Sequence, residues 1–169
     1  MLKYANYDIV FQEIPDHITL AINLSNCPNR CEGCHSPYLW KDEGYVLDSA
    51  ELDDILAKYK DNITCVCFMG GDAAPKEVAG LANYIKRTHQ DLKVGWYSGK
   101  NEIPKDVNDT VFDYIKLGRY DAACGPLSSP TTNQRMVQRL SDGRIKDITD
   151  FFQKNRKPSL SLIHTNKGN

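Results

Sequence analysis

The chain has 169 residues, 41% of them hydrophobic and 25% charged, the balance of a globular protein and not of a disordered one. Its 21 basic and 22 acidic residues leave a net charge of −1, which disfavours a nucleic-acid protein held by phosphate contacts. A closed eightfold (βα) barrel takes roughly 250 residues, so a complete one is not expected, and no apolar run approaches the roughly 20 residues that cross a bilayer. The N-terminus, MLKYANYDIVFQEI, is broken by Asp8 and Glu13 and lacks a secretory apolar core. The expectation is a cytoplasmic protein with neither a membrane nor a nucleic acid as partner.

In chain order, an early strand is expected around Tyr7–Phe11 and a second over 17–24, HITLAINL. Asp48 opens a helix to about Lys60, with Glu51 in a capping-box position and Leu52, Ile55, Leu56 and Tyr59 on one face. ITCVCFM (63–69) reads as a buried strand, stopped by Gly70, Gly71 and Asp72. A helix to about His89 follows, with Pro75 in its first turn and Val78, Leu81, Ala82 and Ile85 facing inward. LKVGWYS (92–98) and DYIKLG (113–118) are further strands, separated by a loop or short helix. RMVQRL and RIKDIT flank Ser141-Asp142-Gly143 as a β-hairpin, and a short helix starts at Thr149. Strands alternating with helices imply right-handed βαβ units and a parallel sheet. The fold class is α/β, partly barrel-like and open on one side, with a single domain over 1–155 and a C-terminal tail over 156–169.

Three of the six cysteines, Cys27, Cys31 and Cys34, lie within CPNRCEGC, directly after a strand. Functional groups of parallel α/β folds gather at the carboxyl ends of strands. Three thiolates on one loop can wrap an iron–sulfur cube, whose usual count is four, and the fourth iron then keeps an open position. Structural zinc, with His35 completing a Cys3His set, is the other reading, and inert thiols a third. Gly70-Gly71-Asp72, at the next strand end, can bring backbone close to a ligand or present a carboxylate to an ammonium; a plain turn with Asp72 as helix cap serves equally. Ser98-Gly99 ends another strand. Lys116 and Arg119 flank the last, where either could pair a ligand carboxylate or stay solvated.

The motif C-x3-C-x2-C in CPNRCEGCHSPYLW resembles the signature of the radical S-adenosylmethionine superfamily, and FMGGD resembles its glycine-rich motif for the cofactor's amino group. YDIVFQEIPDHITLAINLSNCPNRCEGCHSPYLW, IKLGRYDAACGPL and SPTTNQR are similar to the family of activating proteins of anaerobic ribonucleoside-triphosphate reductase, over about residues 4–152. The resemblance implies a partial, open (βα) barrel of the radical-SAM type. It implies a [4Fe-4S] cluster on Cys27, Cys31 and Cys34, with S-adenosyl-L-methionine on its open iron. Gly33, Cys34, His35, Gly70, Gly71, Asp72, Ser98 and Lys116 would then contact the cofactor. The implied partners are the large subunit of the reductase, which gains a glycyl radical, and a flavodoxin-like electron donor. Related chemistry, in an activase of another glycyl-radical enzyme or a small-molecule enzyme such as a deazapurine synthase, is an alternative, and a zinc-stabilised binding module is one of another class.

Two departures from the superfamily pattern stand out. Gly33 replaces the aromatic residue that many relatives carry before the third cysteine, leaving adenine to the backbone of Gly33–His35 or a ring such as Tyr38. Asp72 stands where many relatives have Glu. Cys65 and Cys67 share a strand face and read as small core residues, with a second metal site involving Cys124 as the lesser reading. Tyr38 and Trp40 read as an apolar lid, and His17, His89 and His164 as surface residues. Gly125–Arg135 and the basic run Lys154, Arg156 and Lys157 are candidate docking surfaces for the partner.

Overall fold

A computed structural model describes residues 1–153. The readings made for Lys154, Arg156, Lys157, His164 and the tail lie outside the described residues. The strands are β1 (Lys3–Val10), β2 (Thr19–Leu24), β3 (Tyr45–Val46), β4 (Cys65–Met69), β5 (Lys93–Tyr97), β6 (Tyr114–Leu117), β7 (Arg135–Arg139) and β8 (Ile145–Asp147). Two helices, α1 (Ser49–Tyr59) and α2 (Pro75–Thr88), cross between parallel strands, and 3-10 turns occupy Pro37–Trp40, Asp109–Val111 and Thr149–Phe152. All eight strands form one sheet in the order β3-β1-β2-β4-β5-β6-β7-β8. The four central strands are parallel, and antiparallel strands flank them on both sides. No helix among the described residues is long and apolar enough to cross a membrane.

The alternation of each parallel strand assigns its two faces. Leu20, Ile22 and Leu24, then Val66 and Phe68, Val94 and Trp96, and Ile115 join one core with Leu52, Ile55 and Leu56 of α1 and Val78, Ala82 and Ile85 of α2. A sheet under helices buries this face in full. Asp48 accepts from the Glu51 amide at 2.9 Å, but the expected capping box is only half made. The Glu51 carboxylate takes the Tyr4 hydroxyl of β1 instead of returning to the cap, which ties α1 to the sheet.

The opposite face carries smaller or polar residues and is divided along its length. Its lower part is plugged by Ile14, fully buried with Cys65, Cys67, Tyr114 and Met136. Gly95 gives Ile14 room there: a Cβ would stand 3.0 Å from Ile14 Cδ1 and 3.1 Å from Cys67 Sγ, so both side chains would have to shift slightly. Cys65 and Cys67 are therefore core residues, as their shared face implied. Above the plug, Asn23, Met69, Tyr97 and Lys116 stand in register across β2, β4, β5 and β6. This row forms the floor of a cavity.

Candidate iron–sulfur site

The cavity has a volume of about 550 Å³ and opens at the carboxyl ends of the four parallel strands. Besides the floor, its walls include Cys27, Cys34, His35, Trp40, Gly70 and Tyr120. Cys27 and Cys34 are half-buried and Cys31 is buried, and all six cysteines of the chain are free thiols. Asn26, Arg30 and Gly33 adopt left-handed backbone with φ of 61°, 43° and 73°, which turns the loop sharply within eight residues. The Cys34 amide closes a turn onto the Cys31 carbonyl at 3.1 Å. Carbonyls of Leu39 and Lys41 take the amides of Cys27 (2.9 Å) and Asn26 (2.8 Å), so the Pro37–Trp40 turn braces the loop from outside.

Donors already approach two of the thiols. The Ser36 amide lies 3.4 Å from Cys34 Sγ and Asn29 Nδ2 lies 3.8 Å from Cys27 Sγ. Among the described residues no three His, Cys, Asp or Glu side chains converge on one point that a single ion would fill. A cube of four irons and four sulfides is larger and takes its thiolates from further apart. The donor set, three cysteines on one braced loop, suits such a cube with one iron left for another ligand.

The helix-cap role expected of Asp72 is not made: the N-cap of α2 is Ala74, and the Asp72 oxygens are already engaged. Oδ2 accepts from Asn29 Nδ2 at 2.6 Å and from the Gly99 amide at 2.8 Å, and Oδ1 accepts from the Ser98 hydroxyl at 2.5 Å. Ser98 is buried and serves this latch. Asp72 and Ser98 thus hold the site's loops together from behind the cavity wall.

The glycine pair also divides. Gly70 lines the cavity, and its carbonyl accepts from Trp96 Nε1 at 2.8 Å. Gly71 is buried against α2, where a Cβ would meet Val78 Cγ2 at 2.5 Å and Leu24 Cδ1 at 2.7 Å. Lys116 donates to the Gly118 carbonyl at 2.9 Å and sits 5.9 Å from the Tyr97 ring centre. Burial lowers its pKa to about 8, against the opposing pull of Asp72 and Cys31. Arg119 is exposed and lines a separate depression of about 760 Å³ with Glu32, Gly33 and Asp121.

Tyr120 forms part of both hollows and was missed in the sequence. Its ring meets His35 edge-on at 5.5 Å and would lie 3.3 Å from a Cβ on Gly33. A side chain at position 33 would thus crowd against a ring from another loop. No periodicity could show this, since Tyr120 is 87 residues further along the chain. Tyr38, by contrast, is exposed, with its hydroxyl 3.4 Å from Asn6 Nδ2. Pro126, Leu127 and Gln134, inside the expected docking segment, belong to the cavity wall. His17 and His89 are not free surface residues: His17 bonds Thr64 (2.8 Å) and Tyr114 (3.2 Å), and His89 bonds Asp53 (3.2 Å).

The family of 4Fe-4S single cluster domains matches residues 18–115, more than half of the chain and the whole stretch from β2 through the cysteine loop into β6. The chain belongs to this family of iron–sulfur proteins. No curated protein and no solved structure matches it.

Proposed function

We propose that the chain is a radical S-adenosylmethionine enzyme that activates anaerobic ribonucleoside-triphosphate reductase by generating a glycyl radical on its large subunit. One observation carries the reading: Cys27 and Cys34 open into the same cavity as Gly70 and Lys116, at the carboxyl ends of parallel strands. That cavity has room beside a cluster for a second ligand. The accompanying fold is a partial, open (βα) barrel, supported by the parallel run β2-β4-β5-β6 with α1 and α2 as crossovers.

In this reading Cys27, Cys31 and Cys34 hold the [4Fe-4S] cluster. When bound, the cluster supplies one electron, from a flavodoxin-like donor, to break the sulfonium bond of S-adenosylmethionine. The chain's own residues bind and orient. Lys116 presents an ammonium to the ligand carboxylate, and Gly70 lets the ligand approach backbone without a side chain between. Tyr120, with His35 against its ring, offers an aromatic surface for adenine. Asp72 keeps the cysteine, glycine and Ser98 loops in one arrangement. The glycine-bearing loop of the partner enters from the open side.

The test is electron paramagnetic resonance on the reconstituted protein mixed with S-adenosylmethionine, a strong reductant and the reductase. A glycyl radical doublet, together with methionine and 5′-deoxyadenosine, is expected. Cleavage of the cofactor without a radical on the reductase would leave a radical enzyme with a different substrate. No cleavage at all would refute the reading.

A further inference from the structure

Gln134 stands just before β7, is only 5% exposed, and lines the cavity that Cys27 and Cys34 open into. Its side-chain amide is fixed in direction, because Nε2 donates to the Gly118 carbonyl at 3.2 Å. A carbonyl only accepts, so the nitrogen end of the amide must face Gly118 and the oxygen end must face away. Gly118 permits this close approach: it has φ of +106°, and a Cβ there would stand 3.1 Å from Gln134 Cα. Among the described residues nothing donates to Gln134 Oε1. Nor is that oxygen one of the buried polar atoms sealed away without a partner, which are Thr19 Oγ1 and Trp40 Nε1. A side chain almost wholly buried thus keeps one acceptor open to the cavity. Leaving a desolvated acceptor unused is costly, and a donor on a ligand would offset that cost.

Its surroundings narrow what the donor is. The Gly118 carbonyl that holds Gln134 also holds the Lys116 ammonium, at 2.9 Å, so the two side chains are neighbours. Tyr120, the ring offered to adenine, follows Gly118 by two residues and lines the same cavity. Gln134 is therefore joined to a strand end that carries a cation suited to a carboxylate on one side of Gly118 and a ring suited to a base on the other. In S-adenosylmethionine the group between those two ends is the ribose, which carries two hydroxyls. Charge agrees with this choice. A cationic donor beside the Lys116 ammonium would be repelled, whereas a hydroxyl is neutral.

We infer that Gln134 Oε1 accepts a hydrogen bond from a ribose hydroxyl of S-adenosylmethionine, and so selects a ribonucleoside over its deoxy counterpart. The inference rests on the proposed function and adds to it a binding residue that lies outside the cysteine and glycine motifs. The bond to Gly118 keeps the amide from turning its nitrogen to the ligand, so the preference for a donor is built in.

S-adenosylhomocysteine, which keeps the ribose and adenine, is the probe, and its 2′,3′-dideoxy form is the control. Both are titrated by isothermal calorimetry into the anaerobically reconstituted protein. The parent should favour the ribose form by at least about tenfold. Gln134→Met keeps the length of the side chain and removes the acceptor. It should bind S-adenosylhomocysteine about tenfold more weakly than the parent does, and bind the dideoxy form equally well. An equal loss on both probes would reveal a packing role and overturn the inference, as would unchanged affinity of the Met variant for the ribose form. If that variant does not retain iron, Gln134→Asn, with its amide drawn back by one methylene, takes its place under the same expectations. A parent that binds neither probe would overturn the proposed function, and this inference with it.

Discussion

Asn29 Nδ2 lies 2.6 Å from Asp72 Oδ2, a single hydrogen bond that ties the cysteine loop after β2 to the glycine loop after β4. The same carboxylate takes Ser98 and the Gly99 amide, so three strand ends meet on one side chain. Asp72→Ala would strand three donors, Asn29 on the cysteine loop and Ser98 and the Gly99 amide after β5. It should lower unfolding free energy by about 1–3 kcal/mol and reduce the iron retained per chain. Denaturant titration and iron analysis measure the two effects. Asn29→Ala removes one arm of the same latch, and the pair should be less than additive. A parent-like midpoint for Asp72→Ala would show that the latch contributes nothing.

Ligand identity is tested one cysteine at a time. Ala at Cys27, Cys31 or Cys34 should each abolish a stable cluster, read as loss of iron, sulfide and brown colour. Ala at Cys65, Cys67 or Cys124 should leave the cluster in place, since the first two are buried under Ile14 and the third lies on the 121–125 turn. Loss of iron from Cys124→Ala would put a fourth ligand where none is expected.

Gly71→Val separates packing from ligand approach. With φ at +89° and Val78 and Leu24 within 2.7 Å of a new Cβ, the substitution forces α2 away from the end of β4. The expected cost is about 3 kcal/mol, combining overpacking with a left-handed backbone that valine resists. Thermal unfolding would show it. A variant as stable as the parent, but weak for S-adenosylmethionine by isothermal titration, would place Gly71 in the binding surface instead.

Two thiols set an alkaline limit. Burial pushes the Cys65 thiol up to about 12, from 9.0, and moves Cys67 well above the same starting value. Above pH 9 the unfolded chain releases protons that the native state keeps. Stability should therefore fall as pH rises past 9, by about 1.4 kcal/mol per pH unit for each thiol. Denaturant midpoints between pH 8 and 11 measure this, and Cys67→Ala should make the slope shallower. At pH 8 iodoacetamide should leave Cys65 and Cys67 unmodified in the native protein. Rapid labelling of either would contradict their burial.

The elements with a clear period were legible in the sequence. Leu52, Ile55 and Leu56 announced α1, and CVCFM announced a strand buried on both faces. The cysteine spacing pointed to the cofactor class that the family match supports. What escaped reading depends on pairing across distance. β3 is only two residues long, and its existence rests on the register of Lys3 with Val46 and Tyr4 with Tyr45. Asp72 could be a cap or a latch from its neighbours alone; only the arrival of Asn29 and Ser98 shows the latch. Tyr120 belongs to the site because a loop folds back over Gly33.

The brace on the cysteine loop has a consequence for synthesis from the ribosome. Asn26 and Cys27 are held by Lys41 and Leu39, all within one short stretch of sequence. The stretch can close with little loop entropy as soon as it emerges. The latch from Asp72 is supplied 43 positions after Asn29, and Ser98 arrives 26 positions later still. The cysteine loop thus carries its own local brace, while its attachment to the neighbouring strand ends waits for residues that are made later.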